Sequence, residues 1–475
     1  MASSAPNPLP AVVIGAGISG LACAHRLRQL GISATVLESS ARIGGSIWTV
    51  EQDGFRFELG PQSFLSTPAL LALIEQLGLT SELLRAPRRA PRYILAGGRL
   101  VPAPFSPWGL MTTPLFGART KWRLVTEVFR RTHPPEQEES VAAFIRRKFG
   151  ADLLDRIAGP FVSGIYAGDP ERLSWPAAFP VLHECERKYG SVVRGVLAAR
   201  PKKGAPKRER PALCSFGDGV EALPRALGQS LGDSLHREAR VVSVRRGEAD
   251  GRSCFEIAVD RGGHPELLQA GAVVIATPTA PAGEILRGIS EEFAAAFVRI
   301  EYAPVAVVAA GYRREQVAHP AQGFGFLVPR TEGITLLGTV WNSYLFPGRA
   351  PQGTIICTSF AGGAMNPGLL DKSEPQIAEI VGGEVARVLG ITGAPVTQCV
   401  QCIPRALPQY NLGHAKIIAP LAALLSAAPG LFLAGNYLTG PSIGACIEQA
   451  NQTADAVSAY LGKIGVAGAK RSSPA

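Results

Sequence analysis

The sequence predicts an α/β protein in which one nucleotide-binding domain is interrupted by long insertions. Its first apolar segment, "AVVIGAGISGLACAHRLRQLGISATVLE" (residues 11–38), is typical of a strand, a glycine turn, a helix and a second strand that ends in an acid. Two more buried strands are predicted far along the chain, in "AGAVVIATP" (270–278) and "GLFLAG" (430–435). A shorter one, "ARVVSV" (239–244), precedes them. We expect these separated pieces to join in one domain.

The remaining segments predict two further units, as expected for a chain of 475 residues. Strand-like runs separated by turn residues ("YAPVAVVAAGY", "GFGFLVP", "ITLLGTVW" and "TIICTSFAGG") predict an antiparallel sheet that could form the floor of a flat apolar pocket. The predicted boundaries are residues 11–87, 212–295 and 403–462 for the nucleotide-binding domain, 88–100 and 296–402 for the substrate-binding domain, and 101–211 for a mostly helical insertion.

Composition and charge restrict the class of protein. A hydrophobic content of 46% with 18% charged residues is typical of a soluble globular protein with a large core. The net charge of +10 favours an anionic partner such as a carboxylate ligand or a phospholipid surface, although an ordinary basic surface explains much of it. No nucleic-acid-binding signature occurs, so no such partner is expected.

The cysteines and the chain start predict a cytoplasmic protein. Eight scattered cysteines are typical of a reducing compartment. Cys399 and Cys402 form a lone CxxC pair, which is weak evidence for a metal or redox site, so no metal is expected. The N-terminal residues lack a signal-peptide pattern. Residues 417–447 carry no charge, but Pro420 and Pro429 interrupt them, so no membrane span is expected.

The first glycine turn matches the GxGxxG pattern. Gly15 permits the tight turn, Gly17 lets the backbone approach a diphosphate, and Gly20 lets the helix pack on the strand. The helix that starts here directs its positive end at the phosphates. Glu38, 18 residues after Gly20, is placed to accept hydrogen bonds from ribose hydroxyls and disfavours a 2′-phosphate. The pattern therefore predicts a dinucleotide other than NADP.

A second glycine cluster decides between NAD and FAD. The segment "RIGG" (42–45) follows the acid, and "FELGPQS" (57–63) comes next. This arrangement resembles the flavin-dependent amine oxidase superfamily, in which a glycine pair after the ribose acid extends the FAD site. We therefore expect FAD. A helix predicted from about Ser442 could direct its N–H groups at the flavin.

The helical insertion contains a basic amphipathic segment. Lys121, Trp122, Arg123, Arg130 and Arg131 are predicted on one helix, next to the apolar, proline-rich residues 101–116. Residues 187–211 carry nine basic residues and one acid and are predicted to be a solvated loop. Either a bilayer interface or an ordinary solvated helix face explains the pattern. A peripheral position on the inner face of the cell membrane is thus one possibility.

Five segments in order resemble the oxygen-dependent protoporphyrinogen oxidase family, which includes coproporphyrinogen-oxidising members. They are "GPFVSGIYAGDPERLS", "YAPVAVV", "GFGFLVP", "LPQYNLGH" and "GNYLTGPSIGACIEQA", within a resemblance that spans residues 12–457. It implies an FAD site and a substrate site. The implied FAD contacts are Gly15, Ala16, Gly17, Ile18, Ser19, Gly20, Glu38, Gly44, Gly45, Ser46, Gly60, Pro61, Gln62, Ser63, Val242, Asn436, Pro441, Ser442 and Ile443.

The resemblance also implies the substrate contacts and the reaction. Arg92 would hold a substrate propionate, while Gly325, Leu327 and Phe360 would enclose the tetrapyrrole. Hydride would pass from a porphyrinogen bridge carbon to flavin N5, with the carbonyl of Gly325 stabilising the charge that is left. Dioxygen would reoxidise the flavin and give hydrogen peroxide, in three two-electron rounds. No acid–base pair is implied.

Three alternatives remain at this point. The preferred substrate is protoporphyrinogen IX, with coproporphyrinogen III as the alternative within the same family. An amine or amino-acid oxidase on the same scaffold is the second alternative, and an FAD-carrying interaction protein without enzymatic activity is the third. The oligomeric state is not predicted.

Overall fold

The computed structural model describes residues 9–104, 106–199, 211–249 and 251–465. The strands in chain order are β1 (Leu9–Ile14), β2 (Ala34–Leu37), β3 (Thr49–Gln52), β4 (Phe55–Glu58), β5 (Phe64–Leu65), β6 (Leu83–Arg85), β7 (Arg92–Ala96), β8 (Arg99–Pro102), β9 (Leu213–Phe216), β10 (Leu235–His236), β11 (Arg240–Ala249), β12 (Arg252–Arg261), β13 (His264–Ile275), β14 (Tyr302–Arg313), β15 (Gly325–Leu327), β16 (Leu336–Val340), β17 (Thr354–Gly362), β18 (Thr397–Pro408) and β19 (Leu431–Leu433).

The α-helices in chain order are α1 (Ile18–Gln29), α2 (Pro68–Gln76), α3 (Pro107–Thr112), α4 (Ala118–Thr126), α5 (Val141–Lys148), α6 (Ala151–Leu153), α7 (Gly159–Tyr166), α8 (Trp175–Ala178), α9 (Pro180–Tyr189), α10 (Val192–Ala198), α11 (Ala222–Leu231), α12 (Thr279–Leu286), α13 (Glu291–Phe297), α14 (Asn342–Leu345), α15 (Glu374–Leu389), α16 (His414–Ala427), α17 (Asn436–Thr439) and α18 (Ile443–Lys463).

The separated apolar pieces join in one sheet, as predicted. The order is β10-β2-β1-β13-β12-β11, and β19 also pairs with β13. β2, β1, β13 and β19 are parallel, whereas β12 and β11 continue as an antiparallel ribbon. Alternate residues of β1 enter different cores: Val13 packs with α1 and α18, and Val12 packs with α12 and α13. Burial on both faces explains why these strands read as continuous apolar runs.

The predicted substrate sheet also forms, with one difference in its topology. Its order is β18-β14-β17-β16-β15-β7-β8, and the pairing is antiparallel except between β15 and β7. The sheet is therefore mixed, because β7 comes from residues far upstream in the chain. β18 extends across residue 402, where the sequence suggested a domain boundary. The helix α15 covers one face.

The helical insertion packs around its own aromatic core. Phe144 of α5 and Trp175 of α8 stack with ring centroids 3.7 Å apart, and Tyr410 joins the same cluster from outside the insertion. None of the helices in the described residues is both long enough and apolar enough to cross a membrane.

Two predictions for the insertion need correction. The basic helix α4 ends at Thr126, so Arg130 and Arg131 lie beyond it. A 3-10 helix, Glu127–Phe129, follows directly, and Arg130 ends it in an extended conformation. Glu127 is buried there and accepts hydrogen bonds from Ser191 and the first N–H groups of α10. Part of the predicted basic loop is helical, in α9 and α10, while residues 200–210 lie outside the described part of the chain.

Candidate cofactor and substrate sites

A cavity of about 630 Å³ lies at the carboxyl ends of β1, β2 and β13. Ligands of open α/β sheets bind at this edge. Many residues predicted from the sequence to contact a dinucleotide line this cavity: Gly15, Gly17, Ile18, Ser19, Glu38, Gly44, Gly45, Ser46, Pro61, Val242, Asn436, Pro441 and Ile443.

The three glycines of the first turn meet different surroundings. Gly15 has φ +103°, and a Cβ there would lie 2.9 Å from the carbonyl oxygen of Ala276. A Cβ at Gly20 would lie 1.9 Å from the carbonyl oxygen of Gly15, so the helix packs directly on the turn. By contrast, a Cβ at Gly17 would meet no protein atom within 4 Å, because it would point into open space. The fold therefore requires glycine at positions 15 and 20, whereas Gly17 leaves room for a ligand in the cavity.

Glu38 holds the turn and also faces the cavity. Its Oε2 accepts a hydrogen bond from the backbone N–H of Ala16 at 2.7 Å, and its Oε1 accepts one from the N–H of Ser40 at 3.0 Å. The side chain is half-buried and lines the cavity. Oε1 also accepts from the hydroxyls of Ser39 and Ser40, so it is Oε2, with Ala16 as its one donor among the described residues, that has a lone pair for a ligand hydroxyl. Ala16 is buried and contributes through its backbone alone.

The second glycine pair is tied to the first turn. The N–H of Gly44 donates to the carbonyl of Ala16 at 2.8 Å, and Gly44 and Gly45 both have positive φ, +98° and +60°. Arg42 donates to the carbonyls of Ile43, Gly45 and Ile47 and thus closes this turn. The sequence indicated this cluster correctly, but only the structure shows the role of Arg42.

The segment 59–63 is held by its neighbours. Gly60 approaches the carbonyl of Ser46 so closely that a Cβ would lie 1.8 Å from that oxygen. Gln62 does not line the cavity: its amide donates to the carbonyls of Glu58 and Gly60, and its oxygen accepts from Asn342 at 2.6 Å. Ser63 is half-buried and directly precedes β5.

A buried ion pair joins this segment to the substrate sheet. Nη1 of Arg349 lies 2.8 Å from Oε1 of Glu58, and both side chains are almost fully buried. Arg349 also donates to the hydroxyl of Ser215, and Glu58 accepts from Thr49 and from the N–H of Val220. The sequence analysis missed this pair, because Arg349 is distant in the chain from Glu58 and no local pattern links it to the segment 57–63.

Val242 and the N-terminus of α18 line two opposite parts of the cavity. Val242 is the bulged residue of β11, where the register with β12 shifts, and its side chain is 55% exposed. Bulges re-aim a residue and are common beside ligand sites. At the other end, Ser442 caps α18 by accepting from the N–H of Ala445, which places Ile443 in the lining.

The cavity fits a dinucleotide on physical grounds. It combines a helix N-terminus, whose first N–H groups have no partner within the helix, with a half-buried acid at the strand edge. Thr277 also lines the cavity, next to the turn that Gly15 contacts.

The residues predicted to bind the substrate lie in a row on one face of the mixed sheet. Leu327 of β15 pairs with Gly338 of β16, which in turn pairs with Phe360 of β17. Directly paired residues project to the same face. Because Gly338 has no side chain, Leu327 lies beside it, and both Leu327 and Phe360 are half-buried. These positions give a flat apolar surface.

Arg92 and Gly325 continue this row on the neighbouring strands. Arg92 of β7 pairs with Gly325 of β15, and Arg92 shares its face with Ile94, which pairs with Leu327. The guanidinium of Arg92 lies 4.8 Å from the ring centroid of Phe324. Partial burial lowers the pKa of Arg92, but an arginine stays charged at neutral pH.

Gly325 has a structural explanation of its own. Its φ is +135°, and a Cβ there would lie 1.9 Å from the carbonyl oxygen of Thr339. The close approach of β16 therefore requires glycine at this position. A role of its carbonyl in the reaction stays a prediction.

The two ends of the row contact different parts of the chain. Phe360 packs in one apolar cluster with Phe57 of β4 and with Trp48, which lies two residues after the cavity-lining Ser46. Leu327 packs in another cluster, with Leu115 and Phe116 of the helical insertion. Phe360 is therefore the member of the row that lies toward the cofactor domain.

Neither cysteine of the CxxC pair lines the cofactor cavity, and Cys399 packs in the apolar cluster that contains Phe360. Cys399 and Cys402 pair with Ala309 and Ala306 of β14, so their side chains project to opposite faces of β18, and both thiols are free. Within the described residues, no cluster of His, Cys, Asp or Glu could hold a metal ion.

Comparison with known proteins identifies the family. The sequence pattern described as flavin containing amine oxidoreductase matches residues 18–458, which is most of the chain. The chain belongs to this family. Its cofactor is FAD, in agreement with the glycine turns, the ribose acid and the cavity.

Individual proteins resemble the chain over most of its length. The chain is 34% identical to protoporphyrinogen oxidase, chloroplastic, of Nicotiana tabacum, over 96% of this chain and 86% of the relative. It is 29% identical to coproporphyrinogen III oxidase of Bacillus subtilis, over 95% of this chain and 98% of the relative. A crystal structure of a protein from Exiguobacterium sp. 255-15 superposes with a TM-score of 0.79 at 25% identity and covers 95% and 99% of the two chains.

Proposed function

We propose that this enzyme oxidises protoporphyrinogen IX to protoporphyrin IX, using FAD and dioxygen and releasing hydrogen peroxide. The observation that carries the proposal is the 34% identity, over nearly the whole chain, to a relative named protoporphyrinogen oxidase. The apolar row on the sheet supports it, because a flat macrocycle with carboxylate arms matches Leu327 and Phe360 with Arg92 at one end.

The roles of the residues follow from their positions. When bound, FAD supplies the redox chemistry, taking electrons from the porphyrinogen and passing them to dioxygen. The N–H groups at the start of α1 hold its diphosphate and Glu38 holds its ribose. Leu327 and Phe360 pack against the macrocycle and exclude water, while Arg92 orients it through a propionate. The chain's own task is orientation, and no residue is assigned a proton transfer.

Anaerobic mixing with protoporphyrinogen IX tests this proposal. We expect the visible absorbance of the bound flavin to bleach and to recover when air is admitted, with hydrogen peroxide and protoporphyrin IX as products. A primary amine such as putrescine serves as the comparison substrate and should leave the flavin oxidised. Bleaching by the amine and not by a porphyrinogen would overturn the proposal in favour of an amine oxidase.

Coproporphyrinogen III is the second candidate substrate, because relatives named coproporphyrinogen III oxidase are 29% and 26% identical over at least 94% of the chain. The two porphyrinogens differ in the number of propionates, so the choice depends on how many cations face the pocket. The same anaerobic experiment with both substrates, compared by the rate of flavin reduction, decides between them.

We further propose that the helical insertion contacts anionic membrane from the cytoplasmic side. Its surface carries large exposed apolar side chains: Trp108, Met111, Trp122, Val125 and Phe129. Trp108 and Phe129 are each 77% exposed. Arg119, Lys121 and Arg123 on α4 lie among them. Aromatic and cationic side chains together suit a bilayer interface.

Flotation with vesicles tests the membrane proposal. The protein should bind vesicles containing phosphatidylserine at low salt, bind phosphatidylcholine vesicles less, and be released at high salt. Trp108→Ser with Trp122→Ser should weaken binding, whereas the control Val298→Ser should not, since Val298 is 79% exposed but lies outside the insertion. Equal binding of both variants, or none by the native protein, would refute the proposal.

A further inference from the structure

The segment Gly435–Gly440 forms one wall of the FAD cavity. Gly435 and Asn436 line the cavity directly. The segment follows β19 and leads through the short helix α17 to the N-terminus of α18. Its backbone position therefore sets how the FAD is held at this end.

Three buried side chains hold the backbone of this segment. The oxygen of Gln449 accepts from the N–H of Gly435 at 3.2 Å. The hydroxyl of Tyr410 donates to the carbonyl of Asn436. His414 contacts the carbonyl of Tyr437 through Nε2 at 3.1 Å. Gln449 belongs to α18 itself, but Tyr410 and His414 come from a different part of the chain.

The geometry defines the state of His414. A carbonyl oxygen can only accept, so Nε2 carries the proton in this contact. Burial lowers the pKa of His414, which keeps the ring neutral at neutral pH. The two rings of Tyr410 and His414 are in contact, with centroids 4.7 Å apart, so each restricts the orientation of the other.

The segment that carries Tyr410 and His414 is itself anchored to the helical insertion. The N–H of Ser174 donates to the carbonyl of Tyr410 at 2.8 Å, and the N–H of Leu412 donates to the carbonyl of Arg172 at 2.8 Å. Glu138 accepts from the N–H of Gly413 at 2.9 Å and from the hydroxyl of Ser174. Residues 409–414 therefore connect the insertion to the cavity wall.

We propose that Tyr410 and His414 are positioning residues for FAD, which act by fixing the carbonyls of Asn436 and Tyr437. Neither side chain lines the cavity, so neither contacts the cofactor. Both residues belong to the segment "LPQYNLGH" (407–414), which contains none of the residues implied to contact the substrate. The roles of both residues rest on the part of the proposed function that places FAD in this cavity. They do not depend on which substrate the enzyme oxidises.

Titration of FAD into the apoprotein tests this role. Tyr410→Phe keeps the ring and removes one hydrogen bond, so it should raise the Kd for FAD about three- to tenfold and change the circular dichroism of the bound flavin. His414→Phe should do the same, while His414→Gln retains a donor and should stay within about twofold of the native Kd.

Tyr166→Phe provides the matched control. Tyr166 is also buried, and its ring lies against that of Tyr410 with centroids 5.9 Å apart. Its hydroxyl, the group that the substitution removes, donates to the carbonyl of Ala178 at 2.7 Å and not to the segment Gly435–Gly440. It should lower the thermal stability of the apoprotein without changing the FAD titration. If Tyr410→Phe and His414→Phe behave like Tyr166→Phe, both residues are merely structural and the proposal is wrong. Failure of the proposed function is a separate result: the native flavoprotein would bind FAD normally but not be reduced by a porphyrinogen.

Discussion

Gly17→Val separates folding from cofactor binding in this protein. Gly17 has φ −70° and ψ 174°, a conformation that valine adopts without strain, and a Cβ there meets no protein atom within 4 Å. The side chain would instead occupy the space beside the first N–H groups of α1. We therefore expect a folded protein that has lost FAD.

The size of the effect follows from the donors that are blocked. Hydrogen bonds to charged groups contribute about 1.5–3 kcal/mol each. Displacing the diphosphate from two N–H groups would cost about 3–6 kcal/mol, which corresponds to a Kd for FAD raised about 10²- to 10⁴-fold. The loss of stability of the apoprotein should be small by comparison, about 1 kcal/mol for a poorer N-cap.

Gly117→Val is the matched control for this change. Gly117 is also a helix N-cap, with φ −71° and ψ 165°, and the only protein atom near its Cβ position lies 3.8 Å away. It lies outside the cavity lining. The ratio of FAD to protein, from absorbance after purification, should be near one for the control and near zero for Gly17→Val. If Gly17→Val retained equimolar FAD with an unchanged Kd, the diphosphate site would be assigned wrongly.

Further predictions concern the substrate, the buried ion pair and the pH dependence. Arg92→Ala should lower kcat/KM about ten- to a hundredfold through a lost charge-assisted hydrogen bond, with FAD content unchanged. Arg92→Lys should recover part of the activity. The control Arg89→Ala should have no effect, because Arg89 is exposed in the turn before β7. Equal losses with a propionate-esterified substrate would contradict the role of Arg92. Arg349→Met should lower the free energy of unfolding by about 3–5 kcal/mol, because Glu58 is left buried without its cation, and adding Glu58→Gln should restore part of the loss. The urea midpoint of each protein measures this, and an unchanged midpoint for Arg349→Met would contradict it. Burial lowers the pKa of His25, His319 and His414 in the folded protein. The unfolded chain therefore binds more protons below about pH 6.5, so the free energy of unfolding should fall as the pH drops from about 7.5 to 5.5. His414→Gln should make this slope shallower, and an identical slope would show that His414 does not contribute.

Local features of the cofactor site could be predicted from the sequence. The strand, turn, helix and acid of residues 11–38 are contiguous, so hydrogen bonding and helix geometry place them almost without reference to the rest of the chain. The helix after Ser442 and the four strand-like runs between residues 302 and 363 were likewise predicted and are present. The family resemblance rests on five such local segments.

Other features depended on long-range packing and were missed. The ion pair of Glu58 and Arg349 joins residues from widely separated parts of the chain. The parallel pairing of β7 with β15 brings Arg92 beside Gly325 across more than 200 residues. The helix α4 passes at Glu127 into a 3-10 helix that is fixed by the contacts of this buried acid with α10. Periodicity describes one segment at a time, so it contains no information on which distant segment becomes its partner.

The sequence by itself predicted a dinucleotide cofactor, through residue types that a dinucleotide requires at short spacing, and its resemblance to the flavin-dependent amine oxidases indicated FAD. The tertiary structure decided which residues only support the fold and which remain available to a ligand. Gly20 and Gly325 are required by close backbone contacts, whereas Gly17 faces open space. The physical reason is that glycine serves both purposes: it permits a close backbone contact, and it leaves space for a ligand. Only the positions of the surrounding atoms show which purpose a given glycine serves.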